Sequence, residues 1–251
     1  MSTSFTLEKI QAGDVSHAML AEAARLFSSA YGVWGPLAEE KMGAFAKQGR
    51  RVKMSTARLQ EQSLAKGTDS VLVRALAKDR LAGYAFATRW EYEGRQMCWV
   101  TQLCVDPEFR RMKLATKILL ELRKGESDRG FGILSSHPAA IMAALRAFGR
   151  GLEEVNLQMV KEHAQEIMDS SPVDYVKTAT LRGNLFGADE GDGSVSCAST
   201  QFFVDHSEPL AALEAVKERG VEWPFGTLPE GCEYLVLVES GTVDKENTSD
   251  S

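Results

Sequence analysis

The sequence predicts an α/β (α+β) fold in which helices flank a mixed, mainly antiparallel sheet. Three strand-like segments follow one another between short turns, at residues 70–76, 81–92 and 96–105. The last of them passes directly into a helical pattern, and two further strand-like segments lie near the C-terminus. The chain therefore contains a meander that leads into a strand–turn–helix unit, with later strands that complete the sheet.

The segment before the meander is predicted to form one strand and several helices. Phe5 and Leu7 alternate with polar residues, which is typical of a short strand. Residues 17–31 place apolar side chains at helical spacing, and residues 37–48 repeat that pattern. Residues 56–66 are polar and indicate a solvated helix.

The chain is organised around residues 99–122, where a buried strand pattern turns into an amphipathic helix. Pro107 ends the strand, and Arg110 and Arg111 stand close to the start of the helix. Cations at this end oppose the positive end of the helix dipole, and an anion would remove the conflict. Because the first amides of a helix have no internal partner, the residue types indicate a phosphate-sized site. The alternative is a strand–turn–helix whose arginines are merely solvated.

This stretch carries a resemblance to a known family. Residues 105–115 resemble motif A of the GCN5-related N-acetyltransferase (GNAT) superfamily, whose pattern Arg/Gln-x-x-Gly-x-Gly/Ala falls on Arg110, Lys113 and Ala115. Lys113 replaces the middle glycine, which narrows the space beside a pyrophosphate and adds a charge. Residues 133–140, together with residues 146–149, are in addition similar to uncharacterised fungal members of the family.

The resemblance implies that acetyl-CoA is the cosubstrate. Its pyrophosphate would lie against the first turn of the helix, and its pantetheine arm would lie between the fourth and fifth strands. The implied coenzyme-binding residues are Leu103, Cys104, Val105, Arg110, Arg111, Met112, Lys113, Leu114, Ala115, Thr116, Ser135 and Ser136.

The rest of the chain is predicted to complete one domain. The resemblance implies a single acetyltransferase domain over residues 1–240, with its core at 70–150, completing strands within 194–239 and an elaborated C-terminal half. Its elements after the core are predicted as a helix over 152–168, an extended segment over 175–186, a strand over 194–205, a helix over 209–219 and a strand over 233–239. Residues 241–251 read as a polar tail.

Acetyl transfer to an amine needs an uncharged nucleophile and a proton acceptor. The tyrosine and glutamate that relatives use would fall on Leu145 and Trp99, so neither usual catalyst is present. The candidates that remain are His137, Glu91 and Tyr92. His137 follows the fifth strand and could relay a proton or cap the next helix. The other two end the third strand and could reach an amine, or be exposed strand-end residues.

Trp34 and Trp223 are the candidate substrate-binding residues, because they lie in segments that could face an acceptor; they could equally belong to the core. The predicted function is transfer of acetyl from acetyl-CoA to a primary amine by direct attack in a ternary complex. Two alternatives remain, a coenzyme-binding protein without turnover and a protein-interaction module. The acceptor, a small molecule or a peptide, is not determined by the sequence.

The composition of the chain argues against several classes of protein. The net charge of −6 argues against broad binding of nucleic acid. The four cysteines include no Cys-x-x-Cys pair and no metal site is predicted, so reduced thiols in the cytoplasm or nucleus fit best. No apolar run has the length of a membrane span. The sequence leaves open whether the protein is a monomer or a dimer.

Overall fold

One sheet forms the centre of the molecule. A computed structural model describes residues 4–187 and 191–239, and within them eight strands pair in the order β1-β2-β3-β4-β5-β8-β7-β6. The strands are β1 (Thr6–Gln11), β2 (Asp69–Ala77), β3 (Arg80–Tyr92), β4 (Arg95–Val105), β5 (Gly130–Ser135), β6 (Thr180–Arg182), β7 (Cys197–Ser199) and β8 (Cys232–Glu239). Every neighbouring pair is antiparallel except β4 and β5, which are parallel. The predicted fold class is therefore confirmed.

Helices cover both faces of the sheet. In the described ranges they are α1 (His17–Ala30), α2 (Ala38–Met42), α3 (Thr56–Ser63), α4 (Leu114–Arg123), α5 (Pro138–Phe148), α6 (Leu157–Asp169), α7 (Asp174–Lys177) and α8 (Ser207–Lys217). Helices α4, α5 and α8 pack on one face, called here the α4 face, and α1, α3, α6 and α7 pack on the other, the α1 face. Because side chains alternate along a strand, Cys98 packs on the α4 face and Trp99 on the α1 face.

Three segments differ from the prediction. The sequence predicts a helix over 37–48, but α2 ends at Met42 because Gly43 takes a φ of +105°. It predicts a strand over 194–205, but the strand that forms there is only β7, and Gln201 at a φ of +58° turns the chain away. It predicts extended backbone over 175–186, where α7 already occupies the start. In the first two cases a local turn overrides an apolar pattern, and in the third a short helix does.

A buried ion pair fixes the C-terminal end of α4. The Arg89 guanidinium donates to Asp128 at 3.0 Å and to the carbonyl of Leu122 at 3.2 Å. The Lys9 ammonium donates to the carbonyls of Leu122 and Lys124, at 3.3 and 2.7 Å. Since the last carbonyls of a helix have no internal donor, these cations satisfy them and favour the negative end of the dipole.

No helix in residues 4–187 and 191–239 is long and apolar enough to cross a bilayer. Across the same two ranges, no group of three His, Cys, Asp or Glu side chains could hold a metal ion. The polar tail predicted for residues 241–251 lies outside the described residues.

Candidate active site

The site is built around a gap in the sheet between β4 and β5. The two strands pair only from Met97 opposite Gly130 to Val100 opposite Ile133. Beyond that point β4 continues beside β3, and β5 continues beside β8, so residues 101–105 and 134–136 diverge. The predicted pantetheine residues Leu103 to Val105 and Ser135 to Ser136 line the two sides of this gap.

A β-bulge marks the start of the gap. The register of β3 against β4 shifts between Phe86 and Ala87, which leaves Thr101 as an extra residue in β4. The backbone carbonyl of Thr101 accepts a hydrogen bond from the Tyr175 hydroxyl at 3.1 Å. The side-chain hydroxyl oxygen of Thr101 is buried without a partner among the described residues. Because buried polar atoms are normally paired, this oxygen is available to bond a water or a ligand.

The turn from β4 into α4 forms an anion cradle. Arg111 and Lys113 both adopt left-handed backbone conformations, with φ of 64° and 60°. The helix then begins with no side-chain cap, and the amides of Leu114, Ala115 and Thr116 have no acceptor within the described residues. Successive amides in such a turn at a helix N-terminus bind phosphate. The predicted pyrophosphate-binding residues are thus brought together at the mouth of the gap.

The conformation of Lys113 explains why the motif prefers glycine there. A left-handed conformation costs a residue with a side chain about 1 kcal/mol or more, whereas glycine adopts it freely. Lys113 therefore keeps the glycine backbone geometry of the motif and adds an exposed ammonium beside the cradle.

Arg110 holds the cradle in place rather than facing it. Its guanidinium pairs with the Glu208 carboxylate on α8, donates to the carbonyl of Ala30 at 2.7 Å and contacts the carbonyl of Val105. These partners tie the loop to the end of α1 and the start of α8. The sequence predicts Arg110 as a coenzyme ligand, but the structure engages its side chain with protein groups.

His137 occupies the N-cap of α5. Its Nδ1 accepts from the amide of Ala139 at 3.1 Å, and its Nε2 lies 3.8 Å from the Glu208 carboxylate. The interaction with His137 and the charge of Arg110 lower the pKa of Glu208 to about 2. The Nδ1 atom of His137 thus caps α5, which corresponds to the capping role left open by the sequence.

The structure does not bring Glu91 and Tyr92 to the gap. Because β3 runs antiparallel to β4, its last residues lie beside Arg95 at the start of β4, about 17 Å from where the strands separate. The Tyr92 hydroxyl donates to Glu166 at 2.8 Å. Both residues therefore lie near the far end of the sheet.

The two tryptophans predicted to bind substrate are both buried. Trp34 packs in a cluster with Phe203 and Val204 and forms a β-bridge with the latter. Trp223 packs on the α4 face against Phe225 and Tyr234. These positions correspond to the core alternative for each.

A buried carboxylate near the gap was not predicted from the sequence. Glu233 lies near the start of β8, is 7% exposed and pairs with no cation among the described residues. Burial raises its pKa to about 7, and the neighbouring Thr200 hydroxyl opposes the rise. The signal in the sequence was a lone acid preceding the apolar run of residues 234–238.

Two tyrosine hydroxyls interact electrostatically with this carboxylate. Burial raises the pKa of Tyr31, and the nearby charge of Glu233 raises it further. The same two causes, in the same order, raise the pKa of Tyr175. Glu233 and the two phenols therefore form one cluster, called here the Glu233 cluster, which Tyr175 connects to the bulge carbonyl of Thr101.

Comparison with known proteins agrees with this architecture. Residues 36–148, just under half of the chain, match the model of a family described as the acetyltransferase (GNAT) family. The fold is accordingly of the GNAT type, an open, mainly antiparallel sheet flanked by helices. The family match supports membership of the GNAT superfamily. No curated protein sequence matches the chain.

Several solved structures are similar at low identity. One is an aminoglycoside acetyltransferase, meta-AAC0020, from an uncultured soil metagenomic sample, in complex with sisomicin (14% identity, 61% of this chain and 92% of that chain, TM-score 0.41). Others are Arabidopsis thaliana NAA60 in complex with a bisubstrate analogue (15%, 57% and 82%, TM-score 0.36) and the ribosomal-protein-S18-alanine N-acetyltransferase from Escherichia coli (14%, 57% and 76%, TM-score 0.37). These values are too low to assign an activity to this chain.

Proposed function

We propose that this protein is an N-acetyltransferase of the GNAT superfamily. It transfers acetyl from acetyl-CoA to a primary amine by direct attack in a ternary complex. The observation that carries the proposal is the set of unpaired amides at the start of α4, beside the gap between β4 and β5. A cradle for a diphosphate next to a slot for an extended thiol arm fits coenzyme A in both shape and chemistry.

Each part of the coenzyme has matching groups on the chain. The pyrophosphate takes the amides of residues 111–116, with the side chains of Arg111 and Lys113 adding positive charge. The pantetheine arm lies between residues 103–105 and 134–136, whose backbone groups have no β4–β5 ladder partner. The thioester then lies near the bulge at Thr101, where the acceptor amine arrives from the α1 face.

The acceptor is a primary amine on a small molecule or a peptide. The carboxylate and phenols of the Glu233 cluster suit a cationic group, since Glu233 has no cation of its own among the described residues. The four free cysteines, all buried, fit a reducing compartment such as the cytoplasm or nucleus.

Two measurements, made one after the other, test the proposal. Isothermal titration of the protein with acetyl-CoA should show binding at one site, and an absence of binding at millimolar coenzyme would overturn it. Release of free thiol is then followed with a panel of primary amines. Thiol release that depends on an amine supports transfer, whereas binding without release from any amine favours a coenzyme-binding protein without turnover.

A protein-interaction role predicts a different outcome. If Arg111 docks an acidic partner instead of coenzyme, acetyl-CoA should leave the thermal stability of the protein unchanged. A rise in melting temperature with coenzyme concentration argues against that role, because a ligand stabilises only the state that binds it.

A further inference from the structure

We infer that Glu233 is the general base that removes a proton from the acceptor ammonium. This inference rests on the proposed function and names the residue that the usual family positions do not supply. It concerns an acid on β8 that none of the comparisons identifies.

The position of Glu233 in the sheet brings it to the gap. Strand β8 runs antiparallel to β5, and the last registered pair joins Ser135 to Tyr234. The next residue of β8 in this direction is Glu233, which therefore lies beside Ser136 where β5 has left β4. Alternation along β8 places Glu233 on the same face as Leu235, which packs on the α1 face.

The groups around Glu233 are polar but carry no positive charge. Tyr31 at the end of α1 and Tyr175 on α7 sense its charge, and the Thr200 hydroxyl adjoins it. Tyr31 in turn interacts with the buried thiol of Cys104 on β4, whose pKa burial raises to about 12, and with Tyr84 on β3, whose pKa burial also raises. These phenols and this thiol are neutral at pH 7, and no cation shifts the pKa of Glu233.

A purely structural carboxylate would be expected to have an ion-pair partner. Burial of a charge without a partner costs stability, and proteins usually avoid it. Such groups concentrate at functional sites, where a carboxyl with a raised pKa serves as an acid or a base. The cluster is therefore suited to receive a cation, and the ammonium of the acceptor supplies one.

The proton balance of the reaction gives Glu233 a defined task. Its carboxylate takes one proton from the ammonium, and the freed nitrogen forms the C–N bond to the acetyl carbon while the C–S bond breaks. The second proton lost by that nitrogen goes to the sulfur, and Glu233 then returns its proton to solvent. The products are the amide, the free thiol and one proton. A base whose pKa of about 7 lies near the operating pH is close to the optimum for this transfer.

The other candidate bases are less well placed. His137 caps α5 through Nδ1 and its Nε2 lies 3.8 Å from the Glu208 carboxylate, and Glu91 and Tyr92 lie near the far end of the sheet. Cys104 is held in its neutral form by burial. Glu233 is the carboxylate that combines proximity to the gap with freedom from a cation.

Glu233→Gln tests this role, because it keeps the shape and removes the base. Coenzyme affinity, measured by isothermal titration, should stay within about twofold of wild type. Amine-dependent thiol release, measured with the best amine of the panel, should fall by about 10²- to 10⁴-fold, the usual contribution of a general base. We expect kcat/KM of wild type to fall below about pH 7, and this fall should be absent from the residual activity of the variant.

Two further variants keep the test decisive. Glu239→Gln changes an exposed acid near the end of the same strand and should leave activity unchanged. Glu233→Asp moves the carboxylate back by one methylene and should also lose turnover; it replaces Glu233→Gln if that variant does not fold.

The outcomes separate this inference from the proposed function. Wild-type protein that binds no coenzyme overturns both. Wild-type turnover that Glu233→Gln retains within about threefold, or an unchanged acid limb in the pH profile of that variant, overturns the role of Glu233 and leaves the proposed function standing. Coenzyme binding without turnover of any amine also overturns the role.

Discussion

At the scale of single residues, Glu233 and Lys113 each carry a cost in stability. Glu233 is a buried acid without a cation among the described residues, and Lys113 adopts a left-handed backbone conformation. Costs of this kind persist where function requires them, so removing either group should stabilise the protein. The two predictions that follow are independent because the residues lie on different elements.

Glu233→Gln should stabilise the folded protein at alkaline pH. The pKa of Glu233 rises from 4.5 to about 7 on folding, so the unfolded chain releases its proton first. The contribution of Glu233 to the free energy of unfolding of wild type is fully present below pH 4.5 and is lost as the pH rises through 7. The variant should therefore gain roughly 2–3 kcal/mol at pH 8 and little at pH 4. Urea unfolding at both pH values measures this, and a loss of stability at pH 8 would point to a structural role.

Lys113→Gly should stabilise the turn before α4. Glycine adopts a φ of +60° without the strain of a side chain, which is worth about 1 kcal/mol. Lys113→Ala is the matched control, because it removes the charge and keeps the strain. Urea unfolding should show a gain for glycine alone. Coenzyme affinity that is equal or better in the glycine variant indicates a tolerated replacement, and a loss in both variants would show that the ammonium binds phosphate.

At the scale of elements, α4 is held at one end and left open at the other. Arg89 and Lys9 satisfy carbonyls at the end of the helix, whereas the amides at its start have no partner among the described residues. The contacts at the end of α4 hold the helix in position, so its first amides point toward the gap even when no ligand is bound. It depends on Asp128, which is 6% exposed and neutralises Arg89.

Asp128→Ala should destabilise the protein by about 3–5 kcal/mol, because it leaves Arg89 buried without its main partner. The exposed pair of Arg95 and Glu239 is the control, and Glu239→Ala should cost less than about 1 kcal/mol. Urea unfolding at neutral pH compares the two variants. Similar losses for both would contradict the role given to the buried pair.

Elements with an uninterrupted pattern were predictable from the sequence. The meander of β2, β3 and β4 and the amphipathic α4 follow from alternation and helical spacing, which depend only on neighbouring residues. The segments over 37–48 and 194–205 were not, because Gly43 and Gln201 turn the chain at points where the apolar pattern continues. Local patterns do not report such turns.

At the scale of the whole molecule, the site forms where the sheet opens. One part of it was predictable, because residues 105–115 are contiguous and carry a motif. The Glu233 cluster was not, since Tyr31 follows α1 whereas Tyr175 and Glu233 come from α7 and β8, far apart in the chain. Glu91 and Tyr92 show the converse, because only the antiparallel pairing of β3 reveals that they lie near the wrong end of the sheet.

The central claim is that the amides at the start of α4 hold the pyrophosphate of coenzyme A. Ala115→Pro removes one of these donors in the first turn of α4, where proline is tolerated because the amide makes no bond among the described residues. Ala18→Pro makes the same change at the second position of α1, whose amide is also unpaired within the described residues, and serves as the control.

The most direct test is isothermal titration of both proline variants and wild type with acetyl-CoA. Ala115→Pro should bind about 10-fold or more weakly than wild type, as expected for the loss of one charge-assisted hydrogen bond of about 1.5–3 kcal/mol. Ala18→Pro should bind as wild type does. Equal affinity of Ala115→Pro and wild type, with both proteins folded, would contradict the claim that α4 binds the coenzyme through its amides.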